Sequence, residues 1–221
     1  MAQWLCAENK GDAMISTEQR LARMNGIGSS DIPILAGLLT KYGKDAEWLF
    51  QYKTGQMPEE PPNEAMEWGV IMEPIIFGRV AAQTGWIVQP DPETHRLTLQ
   101  EWAYCHPDGA ILAHPERQGV GVLEIKNSRY YSVAKGPSDY QVCQLQWQLL
   151  VTGADYGVLA VLEAGQALHI TTHEPDEQIA AKLYSMAQAF WRRVEEYRQS
   201  QGGNQHDTSS QNSTTGASVA H

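Results

Sequence analysis

The chain has 221 residues, 42% of them hydrophobic, and a formal net charge of -10. That length suits one globular domain with a real core, the acidity argues against a protein that passively coats DNA, and no apolar run is long enough to cross a membrane. Three cysteines without paired spacing, Cys6, Cys105 and Cys143, argue against a disulfide framework or a structural zinc site and fit a reducing cytosol. The opening MAQWLCAENKGDAM has no basic region followed by an apolar stretch, so no signal peptide is expected and the expected location is cytoplasmic.

Residues 1–15 lack periodicity and read as a loose N-terminal arm. A short helix begins at Thr17, with Leu21 and Met24 on one face. In Gly26 to Pro33 (GIGSSDIP) the glycines mark a turn, and Ser29 or Ser30 is expected to cap the next helix, with Asp31 and Pro33 in its first turn. Asp45 is placed to cap a helix that buries Trp48, Leu49 and Tyr52 and ends at Gly55. The acidic, proline-rich Met57 to Glu64 reads as a loop. A longer helix is expected from about Ala65 to Gln83, stopped by Gly85 and kinked or broken at Pro74.

The texture then changes to short strands, expected at Trp86–Val88, His95–Leu99, Ala103–Tyr104, Ala110–Ala113 and Val120–Ile125. A helix from Ser138 to Thr152 is closed by Gly153, two strands follow at Tyr156–Leu162 and Ala167–Thr172, and a last helix runs from about Asp176 to Tyr197. From Ser200 the chain is polar and Gly/Ser-rich, which predicts a disordered tail over residues 200–221. One domain over residues 1–199 results, of α/β class, with a central mixed sheet flanked by helices.

Charge is uneven along the chain. Residues 20–58 carry Arg20, Arg23, Lys41, Lys44 and Lys53 against Asp31, Asp45 and Glu47, and a second basic cluster is Lys126, Arg129 and Lys135. A local basic groove can coexist with an acidic exterior, although scattered solvated side chains would give the same count.

Asp108 in HPDGA and Glu124 with Lys126 in VLEIK carry the chemistry. Along a strand Glu124 and Lys126 point one way and Ile125 points the other, into the core. A salt-bridged pair on a solvent face is the plain alternative. Asp108, however, lies at a strand junction sixteen residues before Glu124. If the two strands are neighbours, both carboxylates converge near one sheet edge and, with a backbone carbonyl, supply hard oxygen ligands for Mg²⁺. Lys126 is then placed to orient or help deprotonate the attacking water and to offset phosphate charge, and the metal polarises the scissile phosphate.

Pro107-Asp108 followed by Glu124-Ile125-Lys126 is the complete PD-(D/E)xK pattern. Upstream stand Arg23-x₆-Ser30 and Gly69-x₃-Glu73-Pro74; downstream stands a Gln-rich helix that ends in Val151-Thr152-Gly153. With these pieces in this order, over roughly residues 17–197, the sequence resembles the phage lambda-type alkaline exonucleases, the YqaJ-like viral recombinase group of the PD-(D/E)xK nuclease superfamily.

The resemblance implies a restriction-endonuclease-like core. It implies Asp108, Glu124 and the Ile125 carbonyl as metal ligands for Mg²⁺ or Mn²⁺, and Lys126 as the residue that positions the nucleophilic water. Glu73 is implied as a helix carboxylate at the site and Gln144 as a helix glutamine reaching its edge. Gln141, Gln144 and Gln148 recur at helical spacing, which equally describes a solvated face. Arg23 and Ser30 are implied as a 5′-phosphate pocket, an arrangement that also suits an anion on physical grounds. His106 stands in that pocket where relatives can carry Ser. Met66 matches an apolar wedge between terminal bases, and Arg129 joins the DNA-binding set through its basic cluster.

The implied activity is a 5′-to-3′ exonuclease that digests one strand of linear double-stranded DNA to mononucleotides and leaves a 3′ single-stranded overhang. The implied assembly is a ring of three subunits working with a single-strand annealing protein, as a phage or prophage protein in a bacterial host. The other readings are a structure-specific or restriction-type endonuclease, against which the Arg23/Ser30 pocket argues, and a non-catalytic DNA-binding module, against which the four ionisable groups Glu73, Asp108, Glu124 and Lys126 argue. An iron–sulfur nuclease of the same superfamily fails on cysteine count.

Overall fold

A computed structural model describes residues 17–58, 61 and 63–207. The expected N-terminal arm and the end of the tail, residues 208–221, lie outside the described residues.

Helix α1 (Thr17–Met24) buries Ala22 and leaves Leu21 exposed, so the face that packs is one residue round from the expected one. The next helix, α2 (Ile32–Leu35), starts from Asp31 rather than from Ser29 or Ser30, and no side chain caps it. The Asp31 carboxylate meets other partners, described below. Helix α3 (Ala46–Lys53) is capped as expected, with Asp45 Oδ1 accepting the Trp48 N–H at 2.8 Å. It buries Leu49, Phe50 and Lys53, while Trp48 and Tyr52 stack on each other half-buried.

Helix α4 (Glu64–Thr84) runs unbroken through Pro74. Pro74 lacks the N–H that would bond the Val70 carbonyl, but both residues are exposed, so water can take that carbonyl and no break is required. Gly85 ends α4 with φ +70, the left-handed stop expected of it.

Strands β1 (Ile87–Pro90), β2 (His95–Leu97), β3 (Gln100–Cys105), β4 (Gly109–Ala113) and β5 (Gly121–Ser128) follow, then α5 (Asp139–Thr152), β6 (Tyr156–Glu163), β7 (Ala167–His173) and α6 (Glu177–Asp207). Helix α6 continues past Tyr197 into the segment expected to be a tail. Extending an anchored helix is far easier than starting one, and Phe190, Trp191 and Val194 anchor this one in the core.

β1, β4, β5, β6 and β7 form one sheet in that order, antiparallel except for β5 and β6. The parallel pair needs a crossover, which α5 supplies. Leu123 and Ile125 face α4 through Ile76 and Val80, and Val122 faces α5 through Leu145 and Leu149. β2 and β3 form a separate ribbon. A larger core joins α2, α3, α5 and α6 around Ile32, Leu49, Trp147 and Trp191.

Candidate active site

β4 and β5 are neighbours, as the reading of the motif required. Gly109 pairs with Leu123, so Asp108, one step before, falls opposite Glu124. The site therefore lies over the central strand β5 and not near a sheet edge. Asp108 Oδ2 accepts the Ile125 N–H at 2.6 Å, and the Asp108 N–H reaches the Leu123 carbonyl at 3.1 Å. Gly109 lets this junction close up: a Cβ there would stand 2.7 Å from the Phe77 ring of α4 and 2.9 Å from the Gln89 carbonyl of β1.

Glu124 is 1% exposed. One of its oxygens, Oε1, receives the Lys126 ammonium and Gln144 Nε2, the latter at 2.6 Å, and Oε2 receives Gln148 Nε2 at 2.5 Å. The glutamines of α5 are thus buried and turned inward, not a solvated face. Gln141 Oε1 instead serves the helix start, accepting the Ser138 N–H at 2.9 Å. Gln148 thus contacts Glu124 as Gln144 does, which the sequence left undecided; its one mark was its place one turn beyond Gln144 on the same helix.

Burial, and then the Glu124 charge, push the Asp108 carboxyl well above its usual range, with Lys126 and the Ile125 N–H opposing. Burial alone would lower Lys126, but the Glu124 carboxylate that it contacts outweighs it and holds the ammonium. Partial burial and the Glu124 charge also raise Glu73, which remains accessible to solvent on α4. Among the described residues no three His, Cys, Asp or Glu side chains gather closely enough to hold a metal ion, so Glu73 couples to the site through charge and does not complete a carboxylate triad.

The donor set nevertheless fits a hard divalent cation. Two opposed carboxylates crowd negative charge over one strand, and the buried Oε1 atoms of Gln144 and Gln148 have no hydrogen-bond partner. Oxygen donors with excess negative charge are what Mg²⁺ selects, usually with retained water that such orphan acceptors can hold.

The loop that carries Ser30, expected to bind a phosphate, runs beside β3. The Ile27 N–H bonds the Trp102 carbonyl at 2.6 Å and the Tyr104 N–H bonds the Ile27 carbonyl at 3.1 Å, stitching the Gly26–Ser30 loop beside the strand that leads to Asp108. Gly26 permits this, since a Cβ would meet the Trp102 carbonyl oxygen at 2.3 Å. Arg23 is half-buried, Ser29 buried and Ser30 exposed. His106 is half-buried, its Nε2 2.8 Å from Thr94 Oγ1 and its ring 5.4 Å from that of Tyr104. Met66 is exposed in the first turn of α4, two turns before Glu73 and on the same side of the helix. Arg129, just past β5, is exposed, with its guanidinium 5.4 Å from the Tyr130 ring.

A sequence model of the YqaJ-like viral recombinase domain matches residues 20–155, more than half of the chain. The chain belongs to the YqaJ-like viral recombinase family. Its fold is similar to that of an alkaline exonuclease, LHK-Exo, from Laribacter hongkongensis, at 19% identity and TM-score 0.65 over 86% of this chain and 99% of that one. LHK-Exo in complex with dAMP gives TM-score 0.66 at the same identity and coverage. A phage-related exonuclease from Haemophilus somnus 129PT matches at 11% identity and TM-score 0.58 over 80% of this chain and 96% of that one. A search of curated proteins found no match. Family and fold thus agree with the resemblance read from the motifs: this is an enzyme of nuclease fold. No helix among the described residues is long and apolar enough to cross a membrane.

Proposed function

We propose that this recombinase-family enzyme is a metal-dependent 5′-to-3′ exonuclease. It digests one strand of linear double-stranded DNA to mononucleotides and leaves a 3′ single-stranded overhang for annealing. The observation that carries the reading is the convergence of Asp108, Glu124 and Lys126 across the β4–β5 pair.

Asp108, Glu124 and the Ile125 carbonyl would hold Mg²⁺, or Mn²⁺ in its place. When bound, the cation polarises the scissile phosphate and offsets the charge that builds up on it. Lys126, kept as an ammonium, orients the attacking water and adds positive charge at the phosphate. Gln144 and Gln148 hold Glu124 in one rotamer, and Glu73 adds negative charge from α4. Arg23 and Ser30 grip the terminal 5′-phosphate, with His106 beside them, and this is what makes the enzyme act from an end. Met66 wedges the terminal base pair and Arg129 meets the backbone. The dAMP held by LHK-Exo supports mononucleotides as the product class.

A trimeric ring suits a chain of net charge -10, because enclosure holds DNA without bulk attraction. Supporting self-assembly, α4 exposes Trp68 by 51%, Ile71 by 52% and Ile75 by 58% along one side of the helix. A single-strand annealing protein is the proposed partner, with the enzyme acting as a phage or prophage protein in a bacterial cytoplasm, a reading that the viral recombinase family supports.

The test is digestion in Mg²⁺ of a linear duplex phosphorylated at one 5′ end, beside a nick-free circle. Mononucleotides released from the phosphorylated end with the circle intact are expected. Cutting of the circle would establish an endonuclease instead, and an inert protein would point to a binding module.

A further inference from the structure

Lys53 sits in the stretch whose composition reads as surface-basic, yet its side chain is 0% exposed. Its ammonium donates to Asp31 Oδ2 at 2.7 Å and to the Arg23 carbonyl at 2.5 Å. Asp31 Oδ2 also accepts the Gly28 N–H at 2.9 Å. From the far end of the chain, Arg198 on α6 donates through Nη2 to the Met24 and Lys53 carbonyls, both at 2.7 Å. Two cations and one carboxylate therefore clasp the Arg23–Asp31 segment at both ends.

A buried ammonium loses its hydration, and an apolar side chain of the same volume would fill the space without that cost. Burial does push Lys53 below its ordinary value, against the pull of Asp31. Specifying one arrangement of the backbone is the best-attested use of such a group. Here the carbonyls it and Arg198 engage are the unpaired ones at the ends of α1 and α3, which need donors in any case. What the clasp fixes in addition is the separation of Arg23, whose own carbonyl is held, from Ser30, whose neighbour Asp31 is held.

We infer that Lys53, with Asp31 and Arg198, positions Arg23 and Ser30 at a set separation and so determines how tightly the enzyme grips a 5′-phosphate. This rests on the reading of Arg23 and Ser30 as the phosphate pocket. None of the three touches the phosphate; they act through the backbone.

The experiment compares kcat and KM of the full chain on matched duplexes ending in 5′-phosphate or 5′-hydroxyl. Wild type, Arg198→Ala, Arg198→Lys and Lys53→Met are used, with thermal melting of each. Wild type should prefer the phosphorylated end. Folded Arg198→Ala should lose that preference by roughly tenfold, the worth of about one hydrogen bond to a charged group. The loss should appear in KM for the phosphorylated end, with kcat and the hydroxyl-end rate kept, and Arg198→Lys should restore part of it. Lys53→Met should lose more, and if it does not fold, Arg198→Ala decides alone. An unchanged preference in folded Arg198→Ala, or an equal fall on both substrates, overturns the inference and leaves the pocket standing. A wild type without preference removes the pocket itself, and the inference with it.

Discussion

Gln148 donates to Glu124 Oε2 at 2.5 Å in a place where Gln148 is 0% and Glu124 1% exposed. Together with Gln144 it occupies both oxygens of the carboxylate and leaves Glu124 one orientation. Groups that orient a metal-binding side chain typically contribute about 10–100-fold to metal affinity or activity. Gln148→Leu should therefore raise the Mg²⁺ concentration for half-maximal digestion by roughly tenfold, with DNA binding in EDTA unchanged. An unaltered Mg²⁺ titration in folded Gln148→Leu would show that the clamp has no part in the chemistry.

Lys126→Ala should abolish turnover while DNA binding stays largely intact, because on the proposed reading Lys126 acts on the water and the reacting phosphate. Asp108→Ala should lose Mn²⁺ binding as well, measured by calorimetry. Wild-type cleavage by either variant would mean that the site has been misassigned.

The Asp108 carboxyl is held above its ordinary value by burial and then by Glu124. A carboxyl with a raised folded pKa binds its proton more tightly in the folded chain than in the unfolded one. Its contribution to stability is complete below the unfolded pKa of about 3.9 and is lost as pH rises through the folded value. Metal-free enzyme has lost it once the pH exceeds that folded value. The melting point of Asp108→Asn in EDTA should thus gain on that of wild type as pH rises from acid into the alkaline range. Mg²⁺ should raise the melting point of wild type more than that of the variant. A difference in melting point that stays the same from acid to alkaline pH would contradict this account.

Lys53→Ala leaves the Asp31 carboxylate buried without its ion-pair partner. Breaking a buried pair on one side costs about 3–5 kcal/mol, so urea unfolding should report a loss of that order. The double variant Lys53→Met with Asp31→Leu should recover much of it. A loss below about 1 kcal/mol, the range of an exposed pair, would show the pair to be solvated.

Ile71 and Ile75 stand exposed one turn apart on α4. If this stripe joins subunits, Ile71→Asp should lower the mass seen by light scattering without lowering the melting point of the isolated chain. A wild type that is monomeric at all concentrations would remove the ring.

Much of this protein is legible in one dimension because its determinants are local. Asp45, Gly85 and Gly153 set helix ends through their own geometry, and the spacing of Glu124 and Lys126 puts both on one face of a strand whatever surrounds it. The Pro-Asp-Gly junction and the order of motifs were enough to indicate the family. Other features depend on neighbours distant in the chain. Asp31 does not cap α2, since its own backbone is already helical at φ -79 and ψ -27, and its carboxylate instead meets Lys53, twenty-two residues away. Lys53 reads as a surface cation until Arg23 and Asp31 close over it. The glutamines of α5 have the spacing of a solvated face, and only the packing of α5 on β5 turns Gln144 and Gln148 onto Glu124. Backbone propensity and side-chain period are properties of a segment, so the sequence determined them. The burial of a charge and the pairing of a polar group belong to contacts between segments, and those the tertiary structure alone decided.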